Sequence, residues 1–173
     1  MRMKLRAGTV AVVTICLILG AASIAQTSNT SPKEASTTMH ASGPFDVKIT
    51  PAEDKSAEGK SEDPLLGRLM LDKHYHGELE ATAQGQMLTA GTAVKGSGAY
   101  VAIEKVTGTL HGRSGSFMLQ HSGTMTQGAP LLTINVVPDS GTGQLAGISG
   151  KMMINIADGK HSYDFEYTLP AMQ

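Results

Sequence analysis

The sequence predicts an all-β fold, a single closed antiparallel barrel of about eight strands, after an N-terminal signal segment and a flexible tether. Two observations predict this fold. After residue 42, apolar and polar residues alternate in short runs, and no long stretch there has the spacing of an amphipathic helix. The chain also contains 20 glycines, many of them between these runs, where tight backbone reversals favour glycine.

The alternating runs define the predicted strands in order. The run 67–88 is long enough for two strands, with a turn near Gly77 or Gly85. The segment ADGK (157–160) contains the Asp-Gly pair that strongly indicates a two-residue hairpin, and it would join the last two strands. The acidic segment 52–63 is expected to be a solvated loop. The predicted strands lie within residues 44–50, 67–88, 99–110, 116–125, 131–137, 151–157 and 161–169.

An internal repeat supports the antiparallel arrangement. TGTLHGRSGSF (107–117) and TGQLAGISGKM (142–152) share the pattern T-G-x-L-x-G-x-S-G. In each copy one run ends, two glycines follow, and another alternating run begins, so the repeat predicts two equivalent hairpin turns. A sheet with this many strands must protect its edges, which favours closure into a barrel. A two-sheet sandwich is the alternative.

The first 25 residues are predicted to be a secretory signal. Arg2, Lys4 and Arg6 precede an apolar run over 8–20, and small residues then lead to a cleavage site after Ala25. The apolar run is shorter than a membrane-spanning helix requires, although an uncleaved anchor is an alternative. The mature protein is therefore expected to be secreted or periplasmic, without a membrane attachment after cleavage. The predicted domains are a signal peptide (1–25), a flexible linker (26–42) and the barrel (43–170).

Composition excludes several classes of protein. Hydrophobic residues make up 40% and charged residues 17% of the chain, which excludes disorder throughout. Three of the 14 basic residues lie in the signal segment, so 11 remain against 15 acidic residues, a formal charge of −4. Nucleic acid is therefore not an expected partner. The single cysteine, Cys16, also lies in the signal segment, so the mature chain is expected to have neither a disulfide nor a cysteine metal site.

The glycine-rich second copy of the repeat resembles a known structure. SGTGQLAGISGKM (140–152) is similar to the glycine-rich hairpin of allene oxide cyclases and plant dirigent proteins. Over Leu66–Leu169 the chain more closely resembles an uncharacterised bacterial domain-of-unknown-function family with the same barrel. That resemblance implies an eight-stranded antiparallel barrel and no established activity, so it carries over no catalytic residue. It rests on LDKHYHGELEAT (71–82), GQMLTA (85–90), GSGAYVAIEKVTGTLHGRSGSFMLQHSGTM (96–125), VVPDSGTGQLAGISG (136–150) and DGKHSYDFEYTL (158–169).

The interior of the barrel is the expected functional region. A small barrel can hold one ligand, and binding of a small hydrophobic ligand is the favoured function. A cyclase or isomerase that uses an interior Glu or His is an alternative, by analogy of fold. A filled barrel that acts as a structural or interaction module is another, and a homo-oligomer is compatible with each. The predicted ligand-binding residues are Tyr75, Tyr100, Phe117, His121, Tyr163, Phe165 and Tyr167, and no cofactor is predicted.

Glu104 and His121 are the candidate catalytic residues. His121 alternates with Phe117 and is expected to point inward, where a hydrogen-bonded core histidine is the simpler interpretation. Apolar residues occupy both faces of the run around Glu104, so its direction stays open. If Glu104 points inward, burial would raise its pKa and suit it to acid–base chemistry. Lys73 shares a face with Tyr75, so its stem is expected to line the barrel end while its amine reaches water.

A second group of polar residues has the composition of a metal site. His74, His76, Glu78 and Glu80 would share one face of a straight strand, and two nearby imidazoles suit zinc. A solvent-facing strand has the same pattern, and a bend at Gly77 would break the alignment. No metal is therefore predicted.

Overall fold

The structure, a computed structural model, describes residues 37–52 and 65–170 as one closed antiparallel barrel. Each strand pairs with the next in the chain, and the first also pairs with the last. This confirms the predicted fold and excludes a sandwich. The strands are β1 (Met39–Pro51), β2 (Leu66–Tyr75), β3 (Leu79–Gly91), β4 (Gly98–Leu110), β5 (Arg113–Thr126), β6 (Ala129–Val136), β7 (Ser149–Ala157) and β8 (Lys160–Thr168).

The predicted signal peptide, most of the linker and most of the acidic loop lie outside the described residues. The barrel itself begins earlier than expected, because β1 starts at Met39, inside the predicted linker. Residues 39–45 pair with β8, and Ala41 is fully buried beneath that pairing. Among the described residues, no helix has the length and apolar character that crossing a membrane requires.

Two turns have the predicted positions. β2 and β3 reverse direction at Gly77, whose φ is 98°, while Gly85 lies inside β3. β7 and β8 are joined at Asp158 and Gly159, with φ values of 52° and 73°. Positive φ at both central residues is the geometry that the twist of a two-residue hairpin requires.

The two copies of the repeat are not equivalent, so that prediction is wrong. The first copy turns at His111 and Gly112 and forms a hairpin between β4 and β5. The second copy contains a 3₁₀ helix (Gly143–Leu145), and β7 begins only at Ser149. The physical reason is a longer connection after β6, which folds across the end of the barrel instead of reversing tightly.

Residues 137–148, which connect β6 to β7, are called the plug below. Leu145 and Ile148 are 1% and 2% exposed, so the plug buries its apolar side chains in the barrel. Thr142 holds it to β5, because its backbone N–H donates to the Ser116 carbonyl at 2.8 Å and its hydroxyl accepts from the Ser116 N–H at 3.0 Å. One end of the barrel is thereby closed.

Beneath the plug, aromatic rings fill the interior. Phe165 of β8 stacks on Phe117 of β5 and on Tyr167, with centroid separations of 5.5 Å and 5.1 Å. Tyr163 meets Tyr75 edge to face at 5.4 Å. This region, from the plug to these rings, is called the filled half below.

Candidate functional site

The opposite end of the barrel is hollow. A cavity of about 690 Å³ opens there, a volume typical of small-molecule sites. This region, called the open half below, ends inside the barrel at Lys73 and His121, and Tyr100 forms part of its wall. Most of its remaining wall is apolar and includes Val47, Ile49, Met87, Met125, Leu132 and Ile154.

A buried polar cluster separates the open half from the filled half. Glu104 is fully buried, and Lys73 and His121 are 4% and 2% exposed. The Lys73 ammonium lies 2.8 Å from Glu104 Oε2 and 3.0 Å from Oε1. Tyr75 donates its hydroxyl proton to Glu104 Oε1 at 2.8 Å. His121 Nε2 lies 3.2 Å from the same oxygen. These four residues, Lys73, Tyr75, Glu104 and His121, are called the polar cluster below.

Three strands position the cluster. Lys73 comes from β2, Glu104 from β4 and His121 from β5, and each follows the inward alternation of its strand. Gly85 lies opposite Glu104 in the β3–β4 register. A Cβ atom on Gly85 would stand 2.7 Å from Glu104 Cβ, which is too close for any other residue. Glycine at this position therefore makes room for the buried carboxylate.

A second glycine makes room for Tyr100. Gly123 of β5 lies opposite Tyr100 in the register, and a Cβ atom there would stand 2.8 Å from Tyr100 Cδ1. The ring of Tyr100 therefore lies across the strand at Gly123, in the cavity wall and two residues from Ala102, the register partner of His121.

The carboxylate of Glu104 is ionised despite its burial. Burial by itself would raise its pKa, but the hydrogen bond from His121 and the charge of Lys73 outweigh that effect and lower the pKa to about 2. The expectation of a raised pKa for an inward Glu104 is therefore wrong, because Lys73 and His121 stabilise the charged carboxylate. The expectation that the Lys73 amine reaches water is also wrong, because that amine is buried against Glu104.

Ionisation of Glu104 fixes the protons of its neighbours. A carboxylate only accepts hydrogen bonds, so His121 Nε2 donates to it, and Nδ1 is the nitrogen without a proton when the ring is neutral. Burial and the charge of Glu104 raise the pKa of Tyr75 well above its usual value, so Tyr75 keeps its proton. Burial and the same charge also raise the pKa of Tyr100.

The two oxygens of Glu104 differ in their surroundings. Oε1 accepts from Lys73, Tyr75 and His121. Oε2 is in close ionic contact with Lys73, yet among the described residues it has no hydrogen bond of good angular geometry. The cluster is thus balanced in charge but not fully satisfied in hydrogen bonds, which is uncommon for a purely structural buried group.

The predicted ligand-binding residues all point inward, but they divide between the two halves. Tyr100 and His121 line the cavity, and Tyr75 lies in the polar cluster. Tyr163 accepts from the Leu79 N–H at 2.9 Å and donates to the His76 carbonyl at 3.2 Å. The other four predicted residues are buried in the filled half: Phe117, Tyr163, Phe165 and Tyr167. Binding of a ligand by these four residues stays a prediction.

Sequence reasoning missed Lys73 as a member of the site and Met87 as part of the wall. The signal for Lys73 was available, since it alternates with Leu71 and Tyr75 on an inward face. Gly85 was a second signal, because an interior glycine in a strand often marks a close approach by a neighbouring group. Neither signal was specific enough to place an ammonium beside Glu104.

The histidines near Gly77 do not lie on the straight polar face that a metal site there would require. β2 ends at Tyr75 and β3 begins at Leu79. His76 is exposed and contacts Glu80 at 3.1 Å, while Glu78 contacts His111 at 3.3 Å. Within residues 37–52 and 65–170, no group of three or more His, Cys, Asp or Glu side chains is arranged to hold a metal ion.

Comparison with known proteins identifies the family. The family described as "Protein of unknown function (DUF3224)" matches residues 41–167. A crystal structure of a DUF3224 protein of unknown function from Shewanella oneidensis MR-1 is 48% identical in sequence, with a TM-score of 0.69. The match covers 78% of this chain and 100% of that one. No curated protein matches the chain. The chain belongs to the DUF3224 family, which confirms the resemblance found in the sequence.

Proposed function

We propose that the protein binds a small, mostly apolar ligand in the open half of its barrel. The observation that carries this proposal is a cavity of about 690 Å³ with apolar walls and a charged inner end. Such a combination of apolar surface and few convergent polar groups is typical of ligand sites. The apolar walls would supply affinity, and Lys73, His121 and Tyr100 would orient one polar group of the ligand.

The mouth of the cavity supports the same proposal. Large apolar side chains stand around it in contact with solvent: Ile49 is 50% exposed, Leu66 54%, Leu131 70% and Ile156 64%. A group of exposed apolar side chains around the mouth of a cavity is unfavourable in water and commonly marks a binding surface. These side chains would be covered, in part, when a ligand occupies the cavity.

The polar cluster also supports a function beyond stability. Burial of an ammonium and a carboxylate carries a desolvation cost, and apolar residues of similar volume often stabilise a fold as well or better. The filled half shows that this barrel can close its interior with Phe165 and Leu145, both at most 1% exposed. A charged inner end beside an empty volume is better explained by recognition of a ligand.

A pair of tryptophan variants tests the proposal. The chain contains no tryptophan, so one introduced ring adds a single fluorescent reporter. Met87 lines the cavity, while its neighbour Leu88 points outward and is 56% exposed. We expect Met87→Trp to occupy the cavity and to weaken binding of anilinonaphthalene sulfonate at least tenfold. Leu88→Trp should bind the dye as the parent protein does. Equal dye affinity in both variants, with both folded, would contradict binding in the cavity.

An enzyme is a second candidate, and one observation favours it. Glu104 and His121 are in contact at 3.2 Å, and His121 reaches the cavity wall. A carboxylate-held histidine facing a ligand site is a common arrangement for proton transfer. A purely apolar cavity would have favoured transport or storage instead.

We also propose that the protein acts outside the cytoplasm. The basic residues Arg2, Lys4 and Arg6, the apolar run 8–20 and the small residues before Ala25 support export. N-terminal sequencing of protein recovered from its own host tests this. A mature chain that begins at Gln26 is expected, and a chain that retains Met1 after export would contradict cleavage.

A further inference from the structure

Resting on the proposed ligand site, we infer that His121 is a general base that removes a proton from a carbon atom next to a carbonyl group of an apolar ligand. Glu104 is a positioning residue in this inference, because it acts through the His121 ring. Lys73 stabilises the negative charge that develops on the carbonyl oxygen. The substrate class is therefore an apolar ketone or a related carbonyl compound that fits the open half.

The orientation of the imidazole supports the inference. Nε2 of His121 is held by Glu104 Oε1 at 3.2 Å, and the ring lies in the cavity wall. Within residues 37–52 and 65–170, this is the one hydrogen bond that the His121 side chain makes, and Nδ1 has no partner there and is not fully enclosed by protein atoms. The unprotonated Nδ1 is thus accessible from the cavity. A lone pair held in a fixed direction is what a general base requires.

The charge balance of the cluster fits proton abstraction. The step begins from the neutral form of the His121 ring, with the Lys73 ammonium and the Glu104 carboxylate in ionic contact at 2.8 Å. In the step, the C–H bond breaks, an N–H bond forms at Nδ1, and the electron pair moves onto the carbonyl oxygen as an enolate. The cluster then carries one positive charge beside one negative charge on the ligand, so the site stays neutral overall.

Transfer of the proton back to the ligand completes the reaction without any oxidant or reductant. In an isomerisation the imidazolium gives its proton to another carbon of a conjugated ligand, whereas its return to the original carbon regenerates the starting compound and is seen only as isotope exchange. Lys73 lies at the buried inner end of the cavity, where its attraction for the enolate oxygen is less screened by water than at the surface. Tyr100 also lines the cavity, and its raised pKa keeps its hydroxyl protonated as a hydrogen-bond donor.

A histidine outside the cavity provides a matched control. His74 of β2 is exposed and points away from the barrel interior, so its side chain does not form part of the cavity wall. The titratable groups that face His121 are Glu104, Lys73 and Tyr75, with Tyr100 and His161 in the cavity wall. Replacement of His121 or His74 by glutamine removes the imidazole and keeps a polar side chain.

Hydrogen–deuterium exchange of a model ketone tests the inference. The probe is β-tetralone, an apolar bicyclic ketone small enough for the cavity, in D₂O with exchange at its activated carbon followed by proton NMR. The parent protein and His74→Gln are expected to accelerate exchange over free imidazole at the same concentration. His121→Gln is expected to lose at least tenfold of this acceleration while it still binds anilinonaphthalene sulfonate.

The outcomes separate this inference from the proposed ligand site. Bound dye with no acceleration by the parent protein, or with equal acceleration in His121→Gln, overturns the general base and leaves ligand binding intact. Absence of dye binding in the parent protein overturns the ligand site itself. If His121→Gln fails to fold, the inference can still be tested on the parent protein by the protonation of the His121 ring. Nitrogen NMR of the imidazoles should show His121 protonated at Nε2 and bare at Nδ1, and the opposite tautomer overturns the inference.

Discussion

The filled half and the open half of this barrel are built from the same eight strands but differ in what occupies their interior. In the filled half, Phe117, Phe165 and Tyr167 stack, and the plug adds Leu145. In the open half, the inward side chains stop at the wall and leave about 690 Å³ empty. The polar cluster lies at the boundary. The difference shows that alternation determines which side chains point inward, while side-chain size and loop length determine whether the interior is full.

The plug at the closed end explains part of this difference. At the closed end, the plug runs from residue 137 to 148 and buries Leu145 and Ile148. At the open end, β7 and β8 are joined by the two-residue turn at Asp158 and Gly159, which by itself is too short to fill the interior as the plug does. A barrel of this size is filled only where a loop or several large rings supply the volume.

The largest expected effect compares truncations in the two halves. Phe165→Ala should lower the free energy of unfolding by about 3–5 kcal/mol, because it leaves a cavity in close-packed surroundings. Met87→Ala should cost less than half as much, since the side chain already borders an empty volume. Urea denaturation of both variants measures the contrast. Equal costs would mean that the open half is packed in solution.

The next largest effect is the pH dependence of stability that Glu104 produces in the polar cluster between the two halves. The pKa of Glu104 is lowered to about 2 from its ordinary value of 4.5, so the ionised form stabilises the folded state. That stabilisation is complete above about pH 4.5 and is lost as the pH falls through about 2, an effect on the order of 3 kcal/mol. Urea denaturation between pH 6 and pH 2 should show it.

Glu104→Gln is the matched variant for this pH dependence. It leaves the Lys73 ammonium buried without a counter-charge, so it should be less stable than the parent at neutral pH. Its stability should also fall less steeply between pH 4.5 and pH 2, and a second change, Lys73→Met, should recover part of the loss at neutral pH. Identical pH profiles for Glu104→Gln and the parent protein would rule out an ionised, stabilising Glu104.

A smaller effect is expected at Gly85, opposite the cluster. A Cβ atom there would stand 2.8 Å from the Glu104 Cα atom, so Gly85→Ala must shift backbone and should cost about 1–3 kcal/mol. The neighbouring Gln84 points outward, and Gln84→Ala should change stability by less than about 0.5 kcal/mol. Thermal denaturation of the pair checks this. A neutral Gly85→Ala would mean that β3 and Glu104 are less closely packed than the structure shows.

The sequence predicted the features that depend on local pattern. The barrel, the turn at Gly77 and the hairpin at 157–160 follow from alternation and from residues that accept positive φ. The inward direction of the rings on β8 followed in the same way. The alternation and the turn residues each involve positions only a few residues apart, so a single sequence is enough to detect them.

The features that depend on distant contacts were missed. The second repeat copy has the local pattern of a hairpin, but the long connection after β6 makes it a plug whose Leu145 is buried by residues far away in the chain. The direction of Glu104 stayed open because Val101 and Ile103 are apolar yet 54% and 48% exposed. The low pKa of Glu104 depends on Lys73, which lies on another strand, so it required the three-dimensional structure.

Methionine methyl NMR tests the contrast between the halves most directly. With carbon-13 in the methionine methyl groups, the cavity residues Met87 and Met125 can be compared with buried Met152 of the filled half and with Met153, which is 63% exposed. On titration with anilinonaphthalene sulfonate, we expect the signals of Met87 and Met125 to shift with one common affinity while those of Met152 and Met153 stay in place. Shifts at Met153 with Met87 and Met125 unchanged would place the ligand outside the barrel and contradict a binding cavity in the open half.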